Sequence, residues 1–410
     1  CYNIIVNLLN ANQNLRFCRT FLTKTSDDIL KAIIKMPLQA SIFIYVIISF
    51  PESGANKGEL LNADSKLVLD EQALVENYFK LLSIADGKVI CVVKANAYGH
   101  GAVAVTKALY SVGARLFAVA NVDEGATLRK RLGGLIGARI ISLGVTAAEN
   151  IKRANKYAIT LPIGSLNDFF ALEKSKLDFD IYFQVDTGMR RLGFDHAKPE
   201  EFFGVASLVG CCPRLTPVGI GTHLSCGEDE NSSRVQTARF CPYSAMGKIS
   251  VSASSAFLRE ECVGEYKRAG LCLYGYGEAA RLLGLKKPLS LYTRIVRTIT
   301  LDKGEKLGYN AVFEAKRKML VGTLPIGYAD GIMRAYRGAS VFVRGKDCPI
   351  LAVCMDMTMI GLPPQARVGD EVTVFSSEGN LERLTDNAGT IVYEGLTALG
   401  NRLRRLTVKS

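Results

Sequence analysis

The chain has no tryptophan, and its 410 residues include only three histidines, His100, His196 and His223. They form no His-rich cluster of the kind that zinc hydrolases use. The 11 cysteines form no CxxC pair, show no metal-ligand spacing and are odd in number. In a chain too long to need disulfide staples, we expect them to be reduced thiols. The sequence therefore disfavours both a metal enzyme and a disulfide scaffold.

Long hydrophobic runs are also missing. The apolar run at residues 41–50 (SIFIYVIISF) is too short to span a bilayer, which takes about 20 residues. Residues 1–65 are predicted to be an N-terminal extension. We favour a poorly ordered or extraneous segment, because no basic residue lies between Met36 and the apolar run. The alternative, an export signal that begins at Met36, stays open.

Clustered charge is scarce too, although the formal net charge is +12. Lysine and arginine are scattered, with no dense basic run and no interleaved aromatic platform, which argues against a nucleic-acid partner. A solvated basic surface or the steering of an anionic ligand is the preferred interpretation. With 48% apolar and 22% charged residues, the composition is that of a globular protein with a large core and room for two domains.

The segment from 66 to 290 alternates between helical patterns and short apolar runs. A helical pattern at 70–82 precedes the apolar strand at 88–93. Further apolar runs follow at 116–120, 139–143, 158–162, 181–185, 218–224 and 249–253. Continuous apolar strands of this kind are typical of parallel sheets that are buried on both faces. The rhythm predicts an α/β fold whose first domain, residues 66–290, is a (β/α)8 TIM-like barrel.

The pattern changes to strand, turn and strand after about residue 289. A strand at 293–300 is followed by the turn 302–304, and a hairpin is predicted around 344–347. Residues 369–375 continue the β pattern, and a helical stretch at 391–403 precedes the end. We therefore predict a C-terminal mainly β domain over residues 291–410.

Lys94 directly follows the first barrel strand, where such barrels carry their chemistry. Partial desolvation there lowers the pKa of a lysine and favours a Schiff base with an aldehyde cofactor. Judged by position alone, Lys94 is equally well interpreted as a strand-end lysine whose amine extends to water.

The string VVKANAYGHG at 92–101 closely resembles the cofactor-lysine motif of the alanine racemases. The resemblance extends from about residue 66 to the C-terminus through further motifs in that family's order. These are VDTGM at 185–189 with RLGF at 191–194, GTH at 221–223, SSA at 254–256, RAGL at 268–271 with LYG at 273–275, GYADG at 327–331, CMD at 354–356 and VYE at 392–394. The resemblance implies an amino-acid racemase that uses pyridoxal phosphate.

By this resemblance, Lys94 would hold the cofactor and act as the base on one face of the substrate Cα. Tyr309, in GYN at 308–310, would be the base on the other face. Its ordinary pKa of about 10 must be lowered, or its proton passed on concertedly, for this to work at neutral pH. Because the family's tyrosine enters from the other subunit, the resemblance implies a homodimer. Without the motif, Tyr309 would be taken as a hairpin tyrosine that packs on its neighbours.

The resemblance also implies the remaining ligands of cofactor and substrate. The residues that would bind the cofactor phosphate are Tyr98, Ser255, Gly270, Leu271 and Tyr393. Arg268 would face the pyridine nitrogen without giving up its proton, and His223 would lie against the ring. Arg191 and the backbone N–H of Met355 would hold the substrate carboxylate. Taken singly, each of these residues also has an ordinary structural explanation.

Two residues depart from the family pattern: Ser254, where an asparagine is common, is the milder change, and Gln184 is the more important one. Many members have a carbamylated lysine where this sequence has Gln184, and that carbamate buttresses the substrate-binding arginine. Gln184 is neutral, although its amide oxygen is able to accept a hydrogen bond from Arg191. We expect activity that does not depend on bicarbonate and a relaxed choice of substrate.

Several alternatives stay open at this point. A racemase that prefers serine, or one of broad specificity, would use the same two bases. A related decarboxylase is disfavoured by the motif at 354–356 and the setting of Tyr309. A non-catalytic protein that binds pyridoxal phosphate is disfavoured because such proteins resemble only the first domain. The family role, D-alanine supply for the cell wall, implies a cytoplasmic enzyme unless residues 41–50 belong to an export signal.

Overall fold

The computed structural model describes residues 65–133, 135–246, 249–250, 257–258 and 264–409. The predicted N-terminal extension, apart from residue 65, and the predicted phosphate ligand Ser255 lie outside these ranges. Within them, no helix is both long and apolar enough to cross a membrane. The same residues contain no group of three or more His, Cys, Asp or Glu side chains that could hold a metal ion.

The first sheet consists of parallel strands that follow one another round the fold. Its strands are β2 (Val89–Val92), β3 (Leu116–Val119), β4 (Arg139–Ser142), β5 (Ile159–Ile163), β6 (Phe179–Asp186), β8 (Leu215–Gly221), β9 (Ile249–Ser250) and β10 (Lys267–Ala269), with the short β7 (Phe194–Asp195) beside β6. The last strand, β10, returns to pair with the first, β2, which is the connectivity of a barrel. Strands β2 and β5 are buried along their whole length, as their continuous apolar sequences predict.

Helices lie between these strands. They are α1 (Glu71–Ile84), α2 (Lys94–Tyr98), α3 (Ala102–Ser111), α4 (Val122–Arg131), α5 (Ile151–Lys156), α6 (Leu166–Ser175), α7 (Pro199–Gly210), α8 (Glu230–Phe240) and α9 (Glu278–Leu282). Four of them begin at a side chain that accepts a hydrogen bond from the first turn: Asp70, Asn121, Ser165 and Asp229. Such N-caps satisfy backbone N–H groups that the helix leaves without a partner.

The second sheet is mainly antiparallel. Its strands are β1 (Ser65–Asp70), β11 (Leu289–Arg294), β12 (Arg297–Leu301), β15 (Met319–Leu324), β16 (Ser340–Val343), β17 (Lys346–Val353), β18 (Thr358–Leu362), β19 (Glu371–Phe375) and β20 (Arg404–Val408). A separate small hairpin joins β13 (Lys306–Leu307) to β14 (Phe313–Glu314), and the helices are α10 (Leu381–Asn387) and α11 (Val392–Thr397). The predicted hairpin at 344–347 is present, since Val343 pairs with Lys346. The predicted fold class, a barrel followed by a mainly β part, is confirmed.

Two elements differ from the sequence prediction. Residues from 66 onward were expected in the barrel, but β1 pairs with β11 and β20 in the second sheet. Burial alternates along β1, as in a strand with one buried face, but its short sequence does not show which strands it meets. The helix expected at 391–403 ends at Thr397 and is followed by β20. The domain boundary near residue 290 stays a prediction.

Candidate active site

A cavity of about 380 Å³ extends through the barrel interior, from the starts of β3 and β4 at Leu116 and Arg139 to the carboxyl ends of the strands, where Lys94 and His223 lie. Many of the residues singled out in the sequence line it together. They are Lys94, Tyr98, Gln184, Arg191, His223, Arg268, Gly270 and Tyr393. Most of them come from the barrel, and Tyr393 comes from the first turn of α11. The cavity therefore joins side chains that lie as far apart in sequence as residues 94 and 393.

The backbone just after Lys94 is unusual. Ala95, Asn96, Ala97 and Tyr98 all have φ between +50° and +55°, the left-handed region that costs a non-glycine residue about 1–2 kcal/mol. Three side chains hold this turn. The Glu124 carboxylate accepts a hydrogen bond from the Ala95 N–H, Asn96 Oδ1 accepts one from the Ala102 N–H, and His100 Nδ1 donates to the Tyr98 carbonyl at 2.9 Å. These contacts offset the strain: two of them are local, and the one from Glu124 ties the start of the turn to another element of the fold.

The second part of the chain closes over this turn. A Cβ atom on Gly99 would lie 2.1 Å from the Leu396 carbonyl oxygen of α11, so the two backbones approach as closely as glycine allows. Arg405 Nε donates to the Gly99 carbonyl at 3.3 Å. The ring of Tyr393 is 5.9 Å from that of Tyr98. The close approach of α11 therefore brings Tyr393 into the cavity.

Lys94 lies among other cations. Burial lowers the pKa of its amine, and the positive charges of Arg191 and Arg268 lower that pKa further, while Glu124 opposes them. A depressed pKa leaves more of the amine neutral at physiological pH. The neutral amine is the form that attacks a carbonyl or accepts a proton.

Arg268 and His223 form a second polar pair. Arg268, which lies on β10 beside β2, is almost fully buried, and its Nη2 donates to the Thr222 carbonyl at 2.7 Å and lies 3.4 Å from His223 Nδ1. Burial is the main cause that lowers the pKa of His223 to about 3, followed by the charges of Arg268, Arg191 and Lys94. His223 is therefore neutral near pH 7, and the positive charge of the pair belongs to Arg268.

A tight turn after β6 presents Arg191 to the cavity. The Asp186 carboxylate accepts hydrogen bonds from the N–H groups of Gly188, Arg190 and Arg191 at 2.9–3.0 Å. One carboxylate thus fixes the path of the backbone that carries Arg191. Arg191 lines the same cavity as Lys94, and its positive charge lowers the pKa of that lysine.

Gln184 does not make the contact that the sequence suggested. Its Oε1 accepts a hydrogen bond from the Tyr182 hydroxyl, and its Nε2 donates to the Leu192 carbonyl, each at 3.4 Å. No hydrogen bond joins it to Arg191 among the described residues. Because side chains two positions apart on a strand share one face, Tyr182 reaches the amide first. Among the described residues, Gln184 therefore does not provide the hydrogen bond to Arg191 that its amide oxygen is able to accept.

Three predicted residues do not line the cavity. Tyr309 lies in the turn Tyr309–Ala311 with 71% of its surface exposed, and Met355 is 51% exposed. Leu271 is buried at the start of the turn Leu271–Tyr274, next to the lining residue Gly270. The structure thus does not bring Tyr309 or Met355 to the Lys94 cavity of the same chain.

The sequence prediction missed several residues at the site. Glu124, in the first turn of α4, contacts the backbone beside Lys94, and Tyr182 and Arg139 line the cavity. Arg139 also forms an ion pair with Asp180 at 3.0 Å. No motif in the sequence marks these residues, because their contribution depends on where their strands and helix lie in the fold. The tertiary fold alone brings them to the site.

The chain matches two family models, described as the alanine racemase N-terminal domain (residues 69–278) and the alanine racemase C-terminal domain (residues 288–407). An alanine racemase of Staphylococcus saprophyticus is 33% identical over 360 residues, which cover 82% of this chain and 93% of that protein. For an alanine racemase of Limosilactobacillus fermentum, the identity is 34% over 367 residues, with 83% and 96% covered. The crystal structure of alanine racemase from E. faecalis is similar with a TM-score of 0.77 at 30% identity, covering 84% of this chain and 98% of that one.

Proposed function

The chain belongs to the alanine racemase family, and on that premise we propose that it interconverts L-alanine and D-alanine with pyridoxal phosphate as cofactor. The observation that carries the proposal is the cavity in which Lys94, Arg191 and Arg268 converge. The product D-alanine would serve peptidoglycan synthesis. The substrate assignment follows the relatives' names, and the residue roles rest on the family motifs together with the geometry of the cavity.

The cavity fits the proposed cofactor in size and charge. Its volume of about 380 Å³ lies in the range of ordinary small-molecule sites. Near Lys94, its described lining includes the cations Arg191 and Arg268 and no aspartate or glutamate; Arg139 lies at the start of β4 and pairs with Asp180. Such a lining suits an occupant with a phosphate group and a substrate with a carboxylate. The phosphate ligands would be the hydroxyls of Tyr98 and Tyr393, the backbone around Gly270 and Leu271, and Ser255.

When bound through Lys94, pyridoxal phosphate supplies an electron sink that makes the Cα–H of an amino acid acidic. The neutral Lys94 Nζ accepts the Cα proton on one face. Arg191 binds the carboxylate through charge-assisted hydrogen bonds and so orients the Cα–H bond toward Lys94. Arg268 would donate a hydrogen bond to the cofactor's ring nitrogen and retain its own proton, which would limit side reactions. His223, neutral near pH 7, would lie beside Arg268 against the ring.

The second base requires a second chain. Tyr309 is largely exposed and Met355 is half exposed, and neither lines the cavity of its own chain. We infer a homodimer in which Tyr309 of the partner subunit delivers or removes a proton at Cα on the face opposite Lys94. The partner's Met355 would donate its backbone N–H to the substrate carboxylate. Each active site then combines one chain's barrel with residues from the other chain.

Chiral chromatography tests the reaction. L-alanine, L-serine and a small panel of amino acids are incubated with the protein and pyridoxal phosphate, alongside a Tyr309→Phe variant. We expect alanine to react fastest and the variant to lose about 10²–10⁴-fold in kcat, the usual contribution of a general acid–base group. Serine or several amino acids reacting as fast would favour a broad racemase, which the missing Gln184–Arg191 contact would explain. No D-enantiomer from any amino acid would refute the proposal.

Mixed dimers test the partner assignment. Lys94→Ala and Tyr309→Phe chains, each inactive alone, are unfolded together and refolded as an equal mixture. Random pairing makes half of the dimers mixed, and each mixed dimer has one intact site, so about a quarter of wild-type activity is expected. If the mixture is as inactive as its components, Tyr309 does not act across the interface.

A further inference from the structure

Glu124 has no role in the proposed function as stated so far, yet it touches the backbone on which Lys94 depends. We propose that Glu124 is a positioning residue that fixes the Lys94 turn to the end of β3 and provides the cavity's opposing negative charge. This inference rests on the proposed function only for the identity of the reaction. The contacts themselves belong to this chain.

The first argument is geometric. Glu124 Oε1 accepts a hydrogen bond from the Ala95 N–H at 2.8 Å, and Oε2 accepts one from the Ala120 N–H at 2.8 Å. Ala95 follows Lys94 directly, and Ala120 follows the last residue of β3. Both carboxylate oxygens are therefore used, one on each of two neighbouring strand ends. Hydrogen bonds to a carboxylate are shorter and stronger than those between neutral groups, so Glu124 holds these two backbone segments together strongly.

The second argument is that the helix carrying Glu124 is itself held in place. The Asn121 side chain caps α4 by accepting a hydrogen bond from the Glu124 N–H at 3.0 Å. The next residue, Gly125, lies so close to the sheet that a Cβ there would be 2.8 Å from Ile159 Cδ1 and 3.2 Å from Ile140 Cγ2. A capped helix start that lies directly on the strands leaves the carboxylate little freedom. The fixed position of the Glu124 carboxylate therefore helps to fix the backbone of the turn beside Lys94.

The third argument is the strain of that turn. Four consecutive non-glycine residues, 95–98, have positive φ. Such a segment persists only where its surroundings over-determine it. The Ala95 N–H stands at the start of the segment, and Glu124 is its acceptor. Without this bond, the first strained residue would lose the contact that keeps Lys94 aimed at the cavity.

The fourth argument is electrostatic. The positive charges of Arg191 and Arg268 lower the pKa of Lys94, and the negative charge of Glu124 raises it. The described lining of the cavity contains no carboxylate. Glu124 therefore balances the cluster of cations from just outside the cavity, without occupying space that a ligand needs.

The test compares Glu124→Gln, Glu124→Asp and the control Asp123→Asn in the full-length protein. Asp123 is the neighbouring acid on the same helical turn, and its carboxylate pairs with Arg153 at 3.2 Å on the exposed surface. After cofactor removal, competitive labelling of amines over a pH series, read at the Lys94 peptide by mass spectrometry, reports the pKa of Lys94 without any turnover. Steady-state kinetics of the reconstituted enzyme give kcat and KM for alanine.

We expect the Glu124→Gln labelling curve to shift to lower pH, because the negative charge that raises the pKa of Lys94 is gone. We also expect kcat to fall on the order of 10- to 100-fold, as for a misplaced catalytic group, with little change in KM. Glu124→Asp keeps the charge but is one methylene shorter, so it should lower kcat and leave the labelling curve nearly in place. Asp123→Asn should alter neither.

Two results would overturn the inference. One is a Glu124→Gln protein whose labelling curve and kcat are those of the wild type, and the other is an Asp123→Asn protein whose labelling curve shifts as much as that of Glu124→Gln. If Glu124→Gln does not fold, Glu124→Asp decides, because unchanged kcat in that variant also refutes the positioning role. Because labelling needs no turnover, a shifted curve in a protein that racemises nothing would support the role of Glu124 and refute the proposed function separately.

Discussion

The contact between Gly99 and α11 allows a sharp test of how the second part of the chain fixes the site. Gly99 and Gly87 have the same φ, +78°, but a Cβ at Gly99 would lie 2.1 Å from the Leu396 carbonyl oxygen, whereas one at Gly87 would have nothing within 4 Å. With this positive φ, alanine at either position has backbone strain of about 1–2 kcal/mol. Only Gly99→Ala adds a steric clash.

The size of that clash follows from the distance. An oxygen and a methyl carbon need more than 3 Å, so α11 must move by about 1 Å, and forcing extra carbon into a packed site costs about 1–3 kcal/mol. We therefore expect Gly99→Ala to lower the free energy of unfolding by about 2–5 kcal/mol and Gly87→Ala by about 1–2 kcal/mol. Because Tyr393 lies on the helix that moves, only Gly99→Ala should also weaken cofactor binding.

Urea unfolding followed by circular dichroism gives the two free energies, and fluorescence titration with pyridoxal phosphate gives the two affinities. Equal destabilisation of the two variants would mean that α11 does not press on Gly99. A strongly destabilised Gly99→Ala protein with wild-type cofactor affinity would mean that the position of α11 does not control Tyr393.

Two further predictions concern pH and bicarbonate. Burial lowers the pKa of His100 to about 4, below its ordinary value of 6.5, so its contribution to stability is complete above pH 6.5 and is lost as the pH falls toward 4. In urea unfolding at a series of pH values, His100→Gln should therefore show a shallower loss of stability in this window, by about 1 kcal/mol per pH unit; parallel curves would contradict the argument. Because Gln184 cannot be carbamylated, added bicarbonate should leave kcat unchanged in the wild type and raise it in Gln184→Lys. Bicarbonate stimulation of the wild type would refute this reading.

Local sequence was enough to predict much of the molecule. The continuous apolar runs of β2 and β5 predicted buried parallel strands, and the hairpin at 344–347 was predicted from its turn. The string at 92–101 indicated the cofactor lysine, and the structure indeed brings Lys94 to a cavity with Arg191 and Arg268. Patterns of this kind are local, because burial, turns and motifs depend on residues close together in the chain.

Other features depended on which distant elements meet. Strand β1 was expected in the barrel but pairs with β11 and β20, since an apolar strand sequence does not show which strands it will meet. Gln184 is able to accept a hydrogen bond from Arg191, but its amide oxygen accepts one from Tyr182 on the same strand face. In both cases the sequence shows which groups are available, whereas the fold decides which of the possible partners is nearest.

By itself, the sequence determined the family, the order of a barrel before a mainly β part, and the chemical groups available for catalysis. Only the tertiary structure decided that Glu124 holds the turn beside Lys94 and that Gly99 lies against Leu396. It also left Tyr309 exposed and away from the cavity of its own chain. The physical reason is that the strained turn at residues 95–98 needs more than its local hydrogen bonds at Asn96 and His100: it is also held by Glu124 and lies against Leu396, and only the fold brings these two residues near.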